Sequence, residues 1–411
     1  MVGALVGGTL SQALGRKKVA LLCMIIYMGG WLLTAFAKTY TMLLCGRLLC
    51  GAMFGTRGVS VQLYLAESAH PSIRARLSTS IHATVMLGSL IDYILGSYMA
   101  WSTLALVNAA ILLPIFGFIA LTLPESPLWL ISKGKSDEAF RSLAWLHGGG
   151  RIDVSEDFRE MQKHFLDTQR EIATIRDILH FHYLRPVILL LLLVVLRHFT
   201  GFNTILYYSY DIFLKSGTGL DPHVGTMILG GVQFLAYIIG GQIMDRMGRR
   251  KAVLLSASIM GISELSFATF YYLKELESYH HVTDAVPWFP LVALNLVMIG
   301  FSLGVGSIIV IFNGELIPVQ IKSKTTGVVN FVVTAFAFVI LEVFFYMVDA
   351  IGLSGTFWIF GGVCFLLAIY FQLVMPETKG QKTEEIERRL TRSKSQLQGI
   401  VGSTMPEPKN S

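Results

Sequence analysis

Gly240-Gly241-Gln242-Ile243-Met244-Asp245-Arg246-Met247-Gly248-Arg249-Arg250-Lys251 closes one long apolar run and opens the next. Its glycines and basic cluster have a counterpart early in the chain, where Gly7-Gly8 is followed by Gly15-Arg16-Lys17-Lys18, again between two apolar runs. Two further recurrences keep the same order. Tyr64-Leu65-Ala66-Glu67, Pro71 and Arg74 match Glu315, Pro318 and Lys322, and Pro124-Glu125-Ser126 matches Pro376-Glu377-Thr378. Three motifs repeated in order on either side of one charged stretch indicate two homologous halves.

The runs between the motifs set the fold class. Of the 411 residues 53% are hydrophobic and 15% charged, against about 25% charged in a soluble domain. Stretches of roughly 20 apolar residues are long enough to cross a bilayer as helices. They occur near 19–37, 41–66, 77–99, 102–123, 186–213, 224–244, 252–273, 289–312, 325–349 and 354–375, with a shorter one at 1–14. These runs are continuous rather than alternating, which predicts an all-α integral membrane protein of eleven spans. The four cysteines all fall in apolar segments, so no disulfide framework is expected.

Charge placement orients the spans. Of the 33 Lys and Arg residues, 27 lie in alternate connections and in the tail. Arg16 to Lys18, Arg74 and Arg76, the stretch 124–185, Arg246 to Lys251, Lys322 and Lys324 all share that side. By the positive-inside rule this side, with the C-terminus, is expected to be cytoplasmic. Basic residues spread between spans form no single face for nucleic acid, despite the net charge of +6. No Gly-x-x-x-x-Gly-Lys phosphate cradle and no Gly-x-Ser-x-Gly elbow occurs. His280-His281 and Asp284 lack the spacing of a metal motif. No enzyme, cofactor or metal site is expected.

The ordered motifs resemble the sugar porter family of the major facilitator superfamily. The resemblance rests on Gly15-Arg16-Lys17, Gly46-Arg47, Pro124-Glu125-Ser126-Pro127-Leu128-Trp129-Leu130 and Pro376-Glu377-Thr378-Lys379-Gly380. Gly300-Phe301-Ser302-Leu303-Gly304 and Gly355-Thr356-Phe357-Trp358 are closest in character to arthropod facilitated trehalose transporters. It implies a major-facilitator fold of two six-helix halves, of which this chain is expected to lack the first helix, so that it reads as a fragment, a wrongly assigned start or a protein that functions with eleven spans. The expected layout is an N-terminal half over 1–123, a cytoplasmic linker with short helices over 124–185, a C-terminal half over 186–375 and a cytoplasmic tail over 376–411. It implies facilitative sugar transport by alternating access at the plasma membrane, with a sugar and the lipid bilayer as partners. The oligomeric state is left open.

By position, the resemblance implies a cytoplasmic gating network of Arg16, Arg47, Glu67, Arg74 and Glu125 with Asp245, Arg249, Arg250, Glu315, Lys322 and Glu377. Gln12 stands where the family usually has Asp or Asn, whereas the second half keeps Asp245, which predicts a looser lock in the first half. In the central site the family's Gln-Gln-x-x-Gly-x-Asn reads Arg197-His198-Phe199-Thr200-Gly201-Phe202-Asn203 here. Candidate substrate contacts are His82, Arg197, His198, Asn203, Tyr207, Tyr208 and Gln233. Arg57, Asp92 and Glu342 also interrupt apolar runs, and a charge there needs a partner. Asp92 is expected to neutralise either Arg57 or Arg197. Three readings stay open: a sugar facilitator for trehalose or a hexose, a sensor that binds without transport, and a carrier of an anionic solute, which Arg197 would favour.

Overall fold

The computed structural model describes residues 2–69, 71–148, 154–170, 181–216, 219–276, 280–317 and 319–375. All regular structure among them is helical. The elements are α1 (Val2–Leu14), α2 (Arg16–Ala35), α3 (Tyr40–Ser68), α4 (Pro71–Tyr98), α5 (Trp101–Thr122), α6 (Pro127–Ser132), α7 (Ser136–Leu146) and α8 (Ser155–Arg170). There follow α9 (Phe181–His198), α10 (Phe202–Ser216), α11 (Pro222–Met247), α12 (Arg249–Glu275), α13 (His280–Ala285), α14 (Phe289–Leu303), α15 (Ile308–Glu315) and α16 (Val319–Leu373).

Among the described residues, six helical stretches are long and apolar enough to cross a membrane. One of them, Thr325–Leu373, runs through both expected spans 325–349 and 354–375, and the helix departs from helical geometry at Gly352 (φ 75°, ψ 170°). The expectation of eleven spans is therefore not met one for one. α1 has 13 residues, about 20 Å at the helical rise, too short to cross alone. The run at 289–312 is split into α14 and α15, and the polar residues along α3 and α4 lower their apolar character. Large apolar side chains such as Leu121 (88% exposed) and Leu373 (78%) cover the outside, as expected where hydrocarbon replaces water as solvent.

The helices pack in two groups. In the first, α2 lies against α3 and α5, and α1 against α3. In the second, α12 packs on α14 and α16, α11 on α14, and α9 on α16. Among the described residues they meet where α4 packs against α11 and α1 against α16. The buried core is concentrated in the second group, around Phe267, Phe301, Phe312, Phe357 and Phe360. At the α4–α11 joint the Tyr93 ring lies where a Cβ on Gly230 would come to 2.7 Å, and the Tyr93 hydroxyl donates to the Leu206 carbonyl at 2.6 Å.

The internal repeat is visible in backbone geometry. Gly15 (φ 105°, ψ 157°) begins α2 and Gly248 (φ 88°, ψ 158°) begins α12, a left-handed conformation that only glycine adopts freely. At Gly15 the reason is also spatial. The Glu125 carboxylate reaches over from the end of α5 and caps α2. Its Oε1 accepts the Arg16 and Lys17 amides at 2.8 and 2.9 Å, and its Oε2 accepts the Lys18 amide at 3.4 Å. An anion on the free amides at a helix start is favoured by the helix dipole. A Cβ at position 15 would lie 2.4 Å from Glu125 Oε2. Gly15→Ala is therefore expected to lower stability by about 1–3 kcal/mol through backbone strain alone. The check is the detergent melting temperature of the variant; an unchanged value would show that the cap does not hold α2.

Candidate functional site

The basic end of the first group is closed by charge-assisted hydrogen bonds. Arg16 grips Glu67 with both arms of its fork, Nε to Oε2 at 2.9 Å and Nη2 to Oε1 at 2.7 Å. Both side chains are 10% exposed. The third donor, Nη1, reaches the Ser11 carbonyl at 2.9 Å. The Ser126 hydroxyl donates to Glu67 and caps α6 by accepting the Trp129 amide at 3.3 Å. The Trp129 indole donates to the Gln12 carbonyl at 2.9 Å. The lock thus uses the backbone of Gln12, and the lack of charge on its side chain leaves the cluster intact.

All the described partners in this cluster belong to the first half of the chain, and together they brace that half. Arg47 is not in it. It sits twenty residues before Glu67 on the same continuous helix, about 30 Å away along the axis, with its guanidinium 5.5 Å from the Trp31 ring centroid. Arg249 and Arg250 lie in the first turn of α12 and have interaction partners of their own. The side chains of Arg74, Asp245, Glu315 and Lys322, and the whole of Glu377, lie outside the described residues.

The central site is built where two helices break. The first break separates α9 from α10 at Phe199–Gly201. Gly201 takes φ 72°, and a Cβ there would sit 2.3 Å from the Phe360 ring. The Thr200 hydroxyl returns to the Arg197 carbonyl at 2.7 Å. The second break separates α14 from α15 at Gly304–Ser307. Inside a membrane each freed amide and carbonyl must find a partner. The Gly306 amide donates to the Phe301 carbonyl at 2.8 Å and the Ser307 amide to Gly304 at 3.3 Å. The Val305 amide donates to Ser256 Oγ at 3.0 Å, whose own proton goes to the Gly300 carbonyl. The Val305 carbonyl is taken by Arg197 Nε at 3.2 Å.

Arg197 therefore joins the two breaks. Its guanidinium also lies 4.9 Å from the Phe301 ring centroid, and the opposing faces of Phe202 and Phe301 are stacked at 3.4 Å, 4° between planes. Tyr237 on α11 meets Phe301 edge-on and stacks on His82 of α4 at 6.2 Å. The Tyr237 hydroxyl lies where a Cβ on Gly306 would come to 2.6 Å. Gln233, one turn earlier on α11, is 1% exposed, and its Nε2 has no hydrogen-bond partner among the described residues.

The other expected contacts are placed differently. His198 is 2% exposed and donates Nδ1–H to the Val194 carbonyl at 2.7 Å, so it serves the end of α9 and does not line open space. Tyr208 sits at a departure from helical geometry in α10 (φ −117°, ψ 21°) and packs on Phe344 and Phe345 of α16. Tyr207 is 67% exposed, and Asn203 is half-buried. Asp92 neutralises neither Arg57 nor Arg197: its Oδ1 accepts from Asn108 Nδ2 at 3.0 Å, while Arg57 lies over the Phe54 ring. Glu342 is exposed on α16. Sequence reasoning passed over Glu264, a fully buried carboxyl on α12 that accepts from the Cys364 thiol at 3.3 Å. A lone acid within the apolar run 252–273 was the available signal.

Among the described residues no group of three or more potential metal ligands is found. Residues 1–390 match the family described as "Sugar (and other) transporter". The facilitated trehalose transporter Tret1 of Apis mellifera ligustica is 35% identical over 95% of this chain and 77% of its own length. That of Bombyx mori is 32% identical over 99% of this chain and 79% of its own length. Among solved structures, the proton:xylose symporter XylE bound to 6-bromo-6-deoxy-D-glucose superposes with a TM-score of 0.74 at 20% identity, covering 95% of this chain and 86% of that one. This likeness extends to the fold, which is that of the major facilitator superfamily. The chain is a multi-pass membrane protein and belongs to the sugar (and other) transporter family, which consists of carriers rather than enzymes.

Proposed function

We propose that this protein carries trehalose or a hexose across the plasma membrane by facilitated diffusion, with the basic end and the C-terminus on the cytoplasmic side. The observation that carries the reading is the meeting of two broken helices, α9–α10 and α14–α15, at an aromatic and amide-bearing surface. Discontinuous helices at the middle of the membrane, between two repeated halves, are where carriers of this architecture build their substrate sites. His82 and Asn203, both half-buried, would offer a ring face and an amide to a sugar, and Phe202, Phe301, Tyr237 and Gln233, packed shut here, would be reached only as the halves rock. The relatives that carry trehalose support the cargo class.

Alternating access needs an element with two arrangements. The α4–α11 joint, made by His82 on Tyr237 and Tyr93 over Gly230, and the α1–α16 joint are the surfaces that would shear as the halves rock. The charged residues expected at the basic end would hold one of the two states. In this scheme Arg16, Glu67 and Glu125 stiffen the first half so that it moves as a unit. Arg74, Asp245, Arg249, Arg250, Glu315, Lys322 and Glu377 would make the contacts that open and close.

Purified protein in liposomes is expected to take up labelled trehalose or glucose saturably, with no dependence on an ion gradient. Folded, inserted protein that binds either sugar without moving it would instead make it a sensor.

Glu67→Gln leaves the Arg16 charge without a counter-ion in a site that is mostly buried. Removing one partner of such a pair costs about 3–5 kcal/mol, so a marked fall in melting temperature and in functional yield is expected. A Glu67→Gln protein as stable as the parent would mean that the pair contributes nothing to the first half.

A further inference from the structure

Around the junction of the two breaks, and one turn from it on α11, three side chains keep hydrogen-bond donors in reserve. Arg197 is fixed through Nε to the Val305 carbonyl and through its flat face to Phe301. Its two Nη groups have no acceptor among the described residues, and the residue is only partly buried. Among the described residues no carboxylate is hydrogen-bonded or ion-paired to Arg197. The Gln233 amide nitrogen is buried and unpartnered. The Tyr237 hydroxyl, one turn further along the same face of α11, also makes no hydrogen bond among the described residues. Asp92, the carboxylate expected from the sequence to serve as a counter-ion, is held instead by Asn108 of α5.

A cation in the membrane interior is costly without a partner. Holding the Val305 carbonyl needs one N–H, which a neutral side chain could provide. A guanidinium held by Nε and stacked on a ring still presents its two Nη groups as a rigid pair, and that pair matches the two oxygens of a carboxylate. A burial-starved amide nitrogen and a phenol hydroxyl beside it add donors where an acceptor-rich group would sit.

We propose that Arg197, Gln233 and Tyr237 form an oxyanion subsite, and that the carrier accepts sugars bearing a carboxylate, of the uronate class. This extends the transport reading above and rests on it for flux, though not for binding. The carboxylate would lie against the Arg197 fork, and the sugar ring against the half-buried His82.

The test pairs two measurements on the full chain, using glucuronate as the probe and glucose as its neutral counterpart. The first is the shift in melting temperature in detergent with each ligand. The second is uptake into liposomes, alone and in competition. Glucuronate is expected to stabilise the parent protein more than glucose does at equal concentration, and to enter saturably while inhibiting glucose uptake. In R197Q, where an amide can still reach the Val305 carbonyl, the ratio of glucuronate to glucose in kcat/KM is expected to fall at least tenfold. Y237F removes a single hydroxyl and covers the case in which R197Q fails to fold; it is expected to lower the same ratio several-fold. Stabilisation by glucuronate that disappears in Y237F, without flux of either sugar, would keep the subsite and overturn the transport reading. Saturable glucose uptake with no stabilisation and no competition by glucuronate would overturn the subsite and leave the transport reading standing. An unchanged ratio in both variants would likewise overturn it.

Discussion

Hydrocarbon offers no hydrogen bonds, and that constraint governs the centre of this molecule. A helix can be interrupted at membrane depth only where other parts of the protein take over the amides and carbonyls it releases. At Gly304–Ser307 this happens group by group. Gly306 bonds back to Phe301, Ser256 serves Val305 on the amide side, and Arg197 serves it on the carbonyl side. Ser256 comes from α12 and Arg197 from α9, so one break is secured by two other spans. The stacking of Phe202 on Phe301 then ties the start of α10 to the end of α14. The two broken spans are in effect one unit, and whatever displaces one of them must disturb the other.

The basic end obeys a related rule under milder conditions. There the helix starts are near water, yet the α2 start is capped by a protein carboxylate. Glu125 gathers the Arg16, Lys17, Lys18 and Ser126 amides, which leaves the Arg16 side chain free to take Glu67. One acid therefore satisfies a helix end while the other satisfies a side chain, and the two meet at Ser126. The division explains why Gly15 is glycine: a side chain there would occupy the space of the Glu125 carboxylate. The same backbone conformation at Gly248 shows that the second half starts its corresponding helix in the same way.

The two-half organisation, the helical membrane class and most apolar runs were legible in the sequence because they depend on composition over twenty residues and on ordered motifs. The interruptions were not. Residues 199–201 and 304–307 lie inside runs that are apolar over twenty residues, and hydropathy averaged over that length does not register a change in backbone direction. Gly201, Gly304 and Gly306 are compatible with a break without requiring one. Order in a motif set also does not give position in space. Gly46-Arg47 falls in the family's sequence, yet the continuity of α3 carries Arg47 to the opposite end from Glu67. Partner choice failed for a similar reason: nothing in the sequence distinguished Asn108 from Arg57 or Arg197 as the neighbour of Asp92, because that depends on how α4 is rotated against α5.

The position of Arg197 settles how its two tasks relate. A positive charge at the junction of broken helices first looks like a response to the carbonyl released by Val305. Were that its whole task, one N–H would suffice, and a charge paired with no carboxylate among the described residues would only add desolvation cost. The geometry separates the tasks by atom. Nε and the flat face of the guanidinium belong to the fold, through Val305 and Phe301, while the Nη pair is left over. Because the fold already holds the guanidinium in place, a ligand meeting the Nη pair loses little rotamer freedom in forming its bonds, which is the condition under which a charged contact contributes most to recognition. The residue that lets α14 end at Leu303 is for the same reason a preorganised one, and the break and the selectivity of the site are linked through a single side chain.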